Sequence, residues 1–539
     1  MSKGQSISKQ KAVISMKDLT TSVYNFEDLI RGNFLYVDKT EYIWQLIRPA
    51  KSMYFLSRPR RFGKSLLLST LKAIFEGKKE LFKGLAIYDK PYDWKQYPIL
   101  HLRFADYSPM KDTVEKVDAY LLDKVVTIAE AHSISLPSGC DASTAFGKLI
   151  DAMASNGPIV ILVDEYDKPI LDNISNRNVG DILKCLKGFY SVLKDRNDQE
   201  RLLFVTGVSK FCHVSLFSEL NNLTDITLKE DYAGMLGFLE GEVRQYFADR
   251  IPDAAKANGF TEEELVEKMM EWYDGYRFSK AETHVCNPVS ISKFFYSNCD
   301  FSNYWDSTGT PSFLLELMRR QAYDHETALN DWYDESVFSA YELDRLDLTG
   351  MLWQTGYLTI SDVRQGGTGT RYRLGFPDRE VKQTFMGRLL EFYGGLRKGL
   401  SGSVIEDFYE AIGKDDLEGF MNVFQSFLAR IIYDLHIPNE KYYQTIFFIV
   451  FELLGIVIEA ESHTNEGRID AYVRTAKTVF IFEFKLDRST DEAIGQILDR
   501  RYYEKFQNCG LPIRLIGVNF DSTKGRIDGW QEGVLASVK

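Results

Sequence analysis

Four short apolar runs constrain this chain more than any other feature. SMYFLS (52–57), ILHLRF (99–104), IVILVD (159–164) and LLFVTG (202–207) are near-continuously hydrophobic, and each is followed by a stretch of helical periodicity. A strand that is apolar on both faces must be covered on both faces, and alternating helices supply the cover. The segment from about 35 to 225 therefore predicts a parallel sheet between two layers of helices, an α/β fold.

The full length of 539 residues leaves room for further units of ordinary domain size. Aromatic residues, 14% of the chain, supply more than one core, and 14 prolines argue against long disordered linkers. The net charge of −12 and pI near 5.3 exclude a protein that coats nucleic acid by overall charge, so any such contact must be local. Six widely spaced cysteines include no C-x-x-C pair and are expected to be free thiols. The first residues lack the apolar core of a signal peptide. The longest apolar run, IFFIVFELLGIVI (446–458), has 13 residues, includes Glu452 and is too short for a bilayer. The expectation is a cytoplasmic protein with no membrane partner.

The first run continues as SMYFLSRPRRFGKSLLLSTLKAIF, which reads strand, tight loop, helix. Gly63, Lys64 and Ser65 form the second half of a phosphate-binding loop, with Arg58 where the general pattern has its first glycine. Backbone N–H groups at a helix start attract phosphate, the Lys64 ammonium bridges outer phosphates, and the Ser65 hydroxyl ligates magnesium. PIVILVDEYDKPI ends a second strand on Asp164 with Glu165 behind it. In an additional-strand ATPase the first acid orders Mg²⁺ and the second polarises the attacking water. LLFVTGVSKF ends in Thr206 and Ser209, candidates to sense the γ-phosphate from the strand beside the loop, and ILHLRF supplies a further strand. The bland alternative is that the acids merely terminate strands at the surface.

From about 226 to 400 the pattern is mostly helical. EEELVEKMMEWY (262–273) is opened by Thr261 and Glu264 in capping-box spacing, and PSFLLELMRR (311–320) follows. The pair GYLTISDV (356–363) and TRYRLGFP (370–377), then a helix over 379–393, suits a winged-helix-like module, and RKGLSGSV (397–404) reads as a linker.

The last region pairs RIDAYVRT (468–475) with TVFIFEFK (478–485), followed by a helix over 491–506 and the strand RLIGVNF (514–520). Alternation in TVFIFEFK puts Val479, Ile481, Glu483 and Lys485 on one face and three phenylalanines on the other. A Glu and a Lys together on a mostly buried strand must be paired or bound to something. With twelve residues between Asp470 and the Glu, two carboxylates can hold Mg²⁺ (or Mn²⁺) while the lysine positions an activated water. On the helix, Gln496, Arg500 and Tyr503 fall on one face. The PD-(D/E)XK core, which this spacing resembles, often carries a further acid on the preceding helix, where Glu452 and the non-acidic Gln444 stand, and Glu459 and Glu461 are expected to be solvated. Residues 440–539 hold 13 Lys and Arg against 15 Asp and Glu, a weak electrostatic footprint for DNA.

RPRRFGKS, YVDKT (36–40), VDEYDKP (163–169), TGVSKF (206–211), WYDGYRF (272–278), CNP (286–288), YW (304–305) and TGYLTI (355–360) together resemble the bacterial AAA-ATPase-like family. That family commonly ends in a nuclease-superfamily domain, and the Asp470, Glu483, Lys485 spacing resembles the PD-(D/E)XK core. The resemblance implies a P-loop ATPase domain over 20–225, a helical lid and winged-helix-like region over 226–400, and a nuclease-like domain over 405–539. It makes Arg58 ordinary for the family, offers Arg60 and Arg61 as partners for phosphate, puts Gln496 near the metal, and leaves WYDGYRF as a packing corner. The implied activities are ATP binding and hydrolysis and a metal-dependent nuclease acting on nucleic acid, with DNA the favoured substrate; two sites on one chain suggest that they are coupled, and a homo-oligomer is compatible with this. A reading of another class is a regulatory nucleotide switch whose nuclease-like domain is an inactive scaffold.

Overall fold

A computed structural model describes residues 17–108, 113–210, 222–305, 312–321, 323–339, 347–430, 440–455, 459–462 and 471–533. The four apolar runs form β1 (Ser52–Ser57), β2 (Ile99–Arg103), β3 (Ile159–Asp164) and β4 (Glu200–Gly207), joined at the edge by the short β5 (Thr224–Asp225). The sheet is parallel in the order β2-β3-β4-β1-β5. Thus β4 separates the loop strand from the acidic strand, and β2 takes the outer edge.

Period-two alternation divides the strands between two cores. Leu56, Val160, Leu162 and Phe204 pack with Leu67, Leu68 and Leu71 of the loop helix Lys64–Phe75. Phe55, Ile161, Val163 and Val205 pack on the other face with helices Val114–Ala131, Ala142–Met153 and Val179–Ser191. Every residue of β3 and β4 is buried, which is why neither run needed a polar side.

In the middle region the capping box forms as read: Thr261 Oγ1 accepts from the Glu264 N–H at 3.2 Å, and Glu264 Oε2 accepts from the Thr261 N–H at 2.8 Å. A ribbon of β6 (Tyr276–Arg277) and β7 (His284–Val285) follows. Then β8 (Trp332–Tyr333), β9 (Thr359–Gly366) and β10 (Gly369–Gly375) form a sheet ordered β8-β10-β9; in the chain, helix Leu348–Thr355 falls between β8 and β9, and the bridging helix Arg379–Tyr393 follows β10. The expected linker is shorter than its composition suggests. Helix Ser401–Gly413 begins inside it, because burying Val404, Ile405 and Phe408 outweighs the weak helix propensity of Ser-Gly-Ser.

The last region is a sheet in sequential order: β11 (Glu459–Ser462), β12 (Ala471–Arg474), β13 (Val479–Leu486), β14 (Ile513–Asp521) and β15 (Arg526–Gly533). Only β13 and β14 pair in parallel. Glu459 and Glu461 lie within β11. The alternation on β13 holds: Phe480, Phe482 and Phe484 face helix Glu440–Leu454, with Phe447 stacked on Phe484 at 4.0 Å, while Val479 and Ile481 pack with Ile494 and Ile497. The helix expected over 491–506 spans Thr490–Asp499 and then breaks at Arg501, φ 57°, into a 3₁₀ turn. Gln496, Arg500 and Tyr503 therefore do not share one unbroken helical face.

A single apolar cluster runs from Leu56 and Leu71 through Leu389 and Leu390 of the bridging helix to Phe451 and Phe482. The three regions are continuous in packing.

Candidate functional site

The loop after β1 turns into its helix at Gly63, whose φ of 89° is the left-handed conformation that favours glycine. Lys64 is buried, and its Nζ donates to the carbonyl oxygens of Arg58 and Pro59, both at 2.8 Å. Burial pushes its pKa down to about 8 against the pull of Asp164, Asp167 and Glu165. Through these two bonds the lysine closes the loop on itself.

The three arginines diverge. Arg58 is 1% exposed, and its guanidinium donates to the carbonyls of Ser57 (2.9 Å) and Thr227 (2.8 Å) and lies 4.2 Å from the centre of the Phe278 ring. Burial lowers its pKa and Asp225 counters that. Its side chain braces the loop from behind instead of lining the cavity in front. Arg60 and Arg61 do line that cavity. Arg61 has φ 70°, and its Nη1 donates to the Tyr304 carbonyl at 3.1 Å.

The acidic strand delivers Asp164, nine-tenths buried or more, to the Thr206 hydroxyl, which donates to it at 2.9 Å. Glu165 (φ 57°) turns into the cavity, its pKa raised by burial and by Asp164, with Lys64 and Lys168 opposing. Ser209 is committed elsewhere: its hydroxyl and its N–H both donate to Asp167 Oδ2 at 2.7 Å, and the Val208 N–H adds a third bond at 3.1 Å. Asp167, which the sequence reading passed over, thus fastens β3 to the end of β4. Its only signal was a third acid in VDEYD. The adjoining Gly207 has no room for a side chain, since a Cβ there would lie 2.5 Å from the Tyr166 ring.

The cavity measures about 570 Å³, within the range of small-ligand sites. Its lining includes the polar Lys64, Ser65, Glu165 and Lys168 and the apolar Leu35, Met235, Leu236 and Phe238. Lys39 of YVDKT reaches its wall and donates to Glu242 (2.5 Å) and to the Gly234 carbonyl (2.8 Å), an ion pair absent from the sequence reading. WYDGYRF packs at the corner: Tyr276 and Phe278 meet Phe62 edge-on at 4.8 and 5.3 Å. The Ser65 hydroxyl and the Asp164 carboxylate are hard oxygen donors, the type Mg²⁺ takes beside a phosphate.

In the last region β13 brings three of the expected residues together. Glu483 is fully buried, and Lys485 Nζ donates to its Oε1 at 2.7 Å and to Gln496 Oε1 at 2.8 Å. Gln496 in turn donates to the Tyr502 hydroxyl at 3.4 Å, so Tyr502, not Tyr503, reaches the cluster. A buried carboxylate beside an amide oxygen fits a hard divalent cation. Asp470 lies outside the described residues, as does the side chain of Gln444. Glu452 is taken by Lys382 of the bridging helix at 2.8 Å. Among the described residues no three His, Cys, Asp or Glu side chains form a ready metal cluster.

Residues 20–217 match the family described as predicted AAA-ATPase, and residues 438–530 match the PD-(D/E)XK nuclease superfamily. Over 532 residues the chain is 34% identical to the uncharacterized protein in the vnfD 5′ region of Azotobacter chroococcum mcd 1, a match spanning 96% of this chain and 99% of that protein. No helix among the described residues is long and apolar enough to cross a membrane. The sheet order, the loop closed by its own lysine and the Glu–Lys–Gln cluster agree with these matches: the chain belongs to the predicted AAA-ATPase-like family, with a carboxyl-terminal domain of the PD-(D/E)XK nuclease superfamily.

Proposed function

We propose that the protein binds and hydrolyses ATP with Mg²⁺ (or Mn²⁺), and that nucleotide state governs a metal-dependent nuclease acting on DNA. In the first site Lys64 exchanges the carbonyls of Arg58 and Pro59 for the outer phosphates, with Arg60 and Arg61 adding positive charge at the loop. Ser65 and Asp164 would hold the magnesium ion, and the Thr206 hydroxyl fixes the carboxylate rotamer of Asp164. Glu165 polarises the attacking water; its raised pKa suits a group that takes a proton as the γ-phosphoryl leaves. Ser209 serves this site through Asp167, by holding the end of β4.

In the second site Asp470 and Glu483 would hold the divalent cation, which supplies a water of lowered pKa. Lys485 orients that water and offsets charge on the scissile phosphate, and Gln496 fixes the lysine in turn. The observation that carries the reading is this ammonium, held between a buried carboxylate and an amide on a strand whose opposite face belongs to the same core as the ATPase sheet.

The scaffold reading draws on a different fact: Lys485 already neutralises Glu483, and the near-balanced charge of residues 440–539 offers DNA little long-range attraction. The experiment is cleavage of single- and double-stranded DNA with Mg²⁺ or Mn²⁺, with and without ATP, by wild type, Lys64→Ala and Glu483→Ala. Cleavage that disappears in Glu483→Ala and changes in Lys64→Ala supports the coupled enzyme. Nucleotide binding with no cleavage under any condition supports the scaffold.

A further inference from the structure

Glu380 lies outside both sites, yet the environment of its carboxylate connects to two walls of the nucleotide cavity. It sits in the first turn of the bridging helix Arg379–Tyr393 and is 1% exposed. Its Oε1 accepts from the N–H groups of Tyr304 and Trp305, the latter at 2.6 Å, and its Oε2 accepts from the Ser290 hydroxyl at 2.7 Å. The carbonyl of that same Tyr304 receives Nη1 of Arg61 at 3.1 Å. Ser290 belongs to the helix Pro288–Tyr296, whose Pro288, Val289 and Ser292 line the cavity.

We propose that Glu380 is a positioning residue for nucleotide binding: it fixes Tyr304 so that Arg61 is presented to the phosphates, and it fixes Ser290 so that the cavity-lining helix Pro288–Tyr296 stays in register. The inference rests on reading the cavity as a nucleotide site.

Two observations support a role beyond packing. A buried carboxylate is a costly way to satisfy two backbone N–H groups and a hydroxyl, which a neutral amide oxygen would do with less desolvation. Burial pushes the Glu380 carboxyl up to about 7, and the Ser290 hydroxyl, the N–H groups of Trp305 and Tyr304 and, after them, the charge of Arg61 favour the ionised form. Arg61 itself occupies the left-handed region at φ 70°, a conformation a non-glycine residue keeps only where its surroundings hold it. The bond from its side chain to Tyr304 is such a hold. Tyr304 is fixed by one more bond, since its hydroxyl donates to the Asp300 carbonyl at 2.6 Å.

The test is the Kd of a fluorescent ADP analogue with Mg²⁺, measured together with melting temperature, for wild type, Glu380→Gln, Arg61→Ala, the double variant and Lys64→Ala. Glu380→Gln is expected to fold and to lose affinity on the order of ten-fold, the worth of one displaced charge-assisted bond. Arg61→Ala should lose a similar factor and the double variant no more than either, because the two act as one unit. Wild-type affinity in Glu380→Gln, or losses that multiply in the double variant, would overturn the proposal. Should Glu380→Gln not fold, Ser290→Ala takes its place, and unchanged affinity in both Ser290→Ala and Arg61→Ala would overturn it equally. Wild type that binds no better than Lys64→Ala would instead refute the nucleotide reading of the cavity, and this inference with it.

Discussion

Lys485 Nζ lies 2.7 Å from the Oε1 of Glu483, which is fully buried, so the charge of one is tolerated because of the other. Truncating the lysine leaves a carboxylate inside the protein without its ammonium partner, a change that costs about 3–5 kcal/mol in comparable buried pairs. Lys485→Ala is therefore expected to melt well below wild type in EDTA. If Glu483 ligates a divalent cation, added Mn²⁺ should recover more of the melting temperature in Lys485→Ala than it adds to wild type. Equal shifts in the two proteins would count against a metal at this carboxylate.

The closure of Lys64 onto its own loop gives nucleotide binding a pH dependence. Its pKa without ligand is pushed down to about 8 by burial, with Asp164, Asp167 and Glu165 raising it and Arg60 lowering it. Phosphate binds the charged ammonium. Below about 8 the lysine is already charged and affinity should be flat. Above that pH binding must also take up a proton, and Kd should rise by about ten-fold per pH unit. Titration of the fluorescent ADP analogue from pH 6.5 to 9.5 measures the profile, and Lys64→Ala should lack the upper limb. A wild-type profile flat to pH 9.5 would place the ammonium outside the binding event.

Strand β13 is stiffened from behind. Phe447 stacks on Phe484 at 4.0 Å and also meets Phe424 at 4.8 Å and Phe520 at 4.9 Å, so removing its ring opens a cavity under Glu483 and Lys485. Phe447→Ala should cost about 3–5 kcal/mol. Hydrogen exchange should rise along β13 before it rises in β3 and β4. Uniform protection across β13 in this variant would show that the stack does not support the strand.

Much of this arrangement was readable because it is local or periodic. Four apolar runs gave four parallel strands; Thr261 and Glu264 gave a capping box; alternation in TVFIFEFK gave a phenylalanine face and a Glu–Lys face. What escaped depends on partners far along the chain. Arg58 turns away from the cavity because its acceptor at Thr227 lies 169 residues on, and Glu380 is satisfied by Ser290, 90 residues before it. Asp167 acquires its role only when β4 lands beside β3. The break after Asp499 carries no Gly or Pro; the turn that follows buries Tyr502 and Phe506, which a straight helix would direct elsewhere. Nothing within a short window of sequence encodes these contacts.

Glu200 opens β4 with 2% exposure, and among the described residues neither of its carboxylate oxygens meets a hydrogen-bond donor. Burial pushes its pKa up to about 8, with Lys51 opposing. An unfolded glutamate titrates near ~4.3, so between the two values the folded state holds a proton that the unfolded state has released. Stability must therefore fall as pH rises through that window and level off above it. Glu200→Gln removes the titration while keeping the shape. Its melting temperature should match wild type near pH 4.5, pull ahead as pH rises, and exceed it by on the order of 5 °C at pH 8. A gap that stays constant with pH, or a variant less stable than wild type at pH 8, would mean that the buried carboxylate finds compensation in its surroundings and is no burden to the fold.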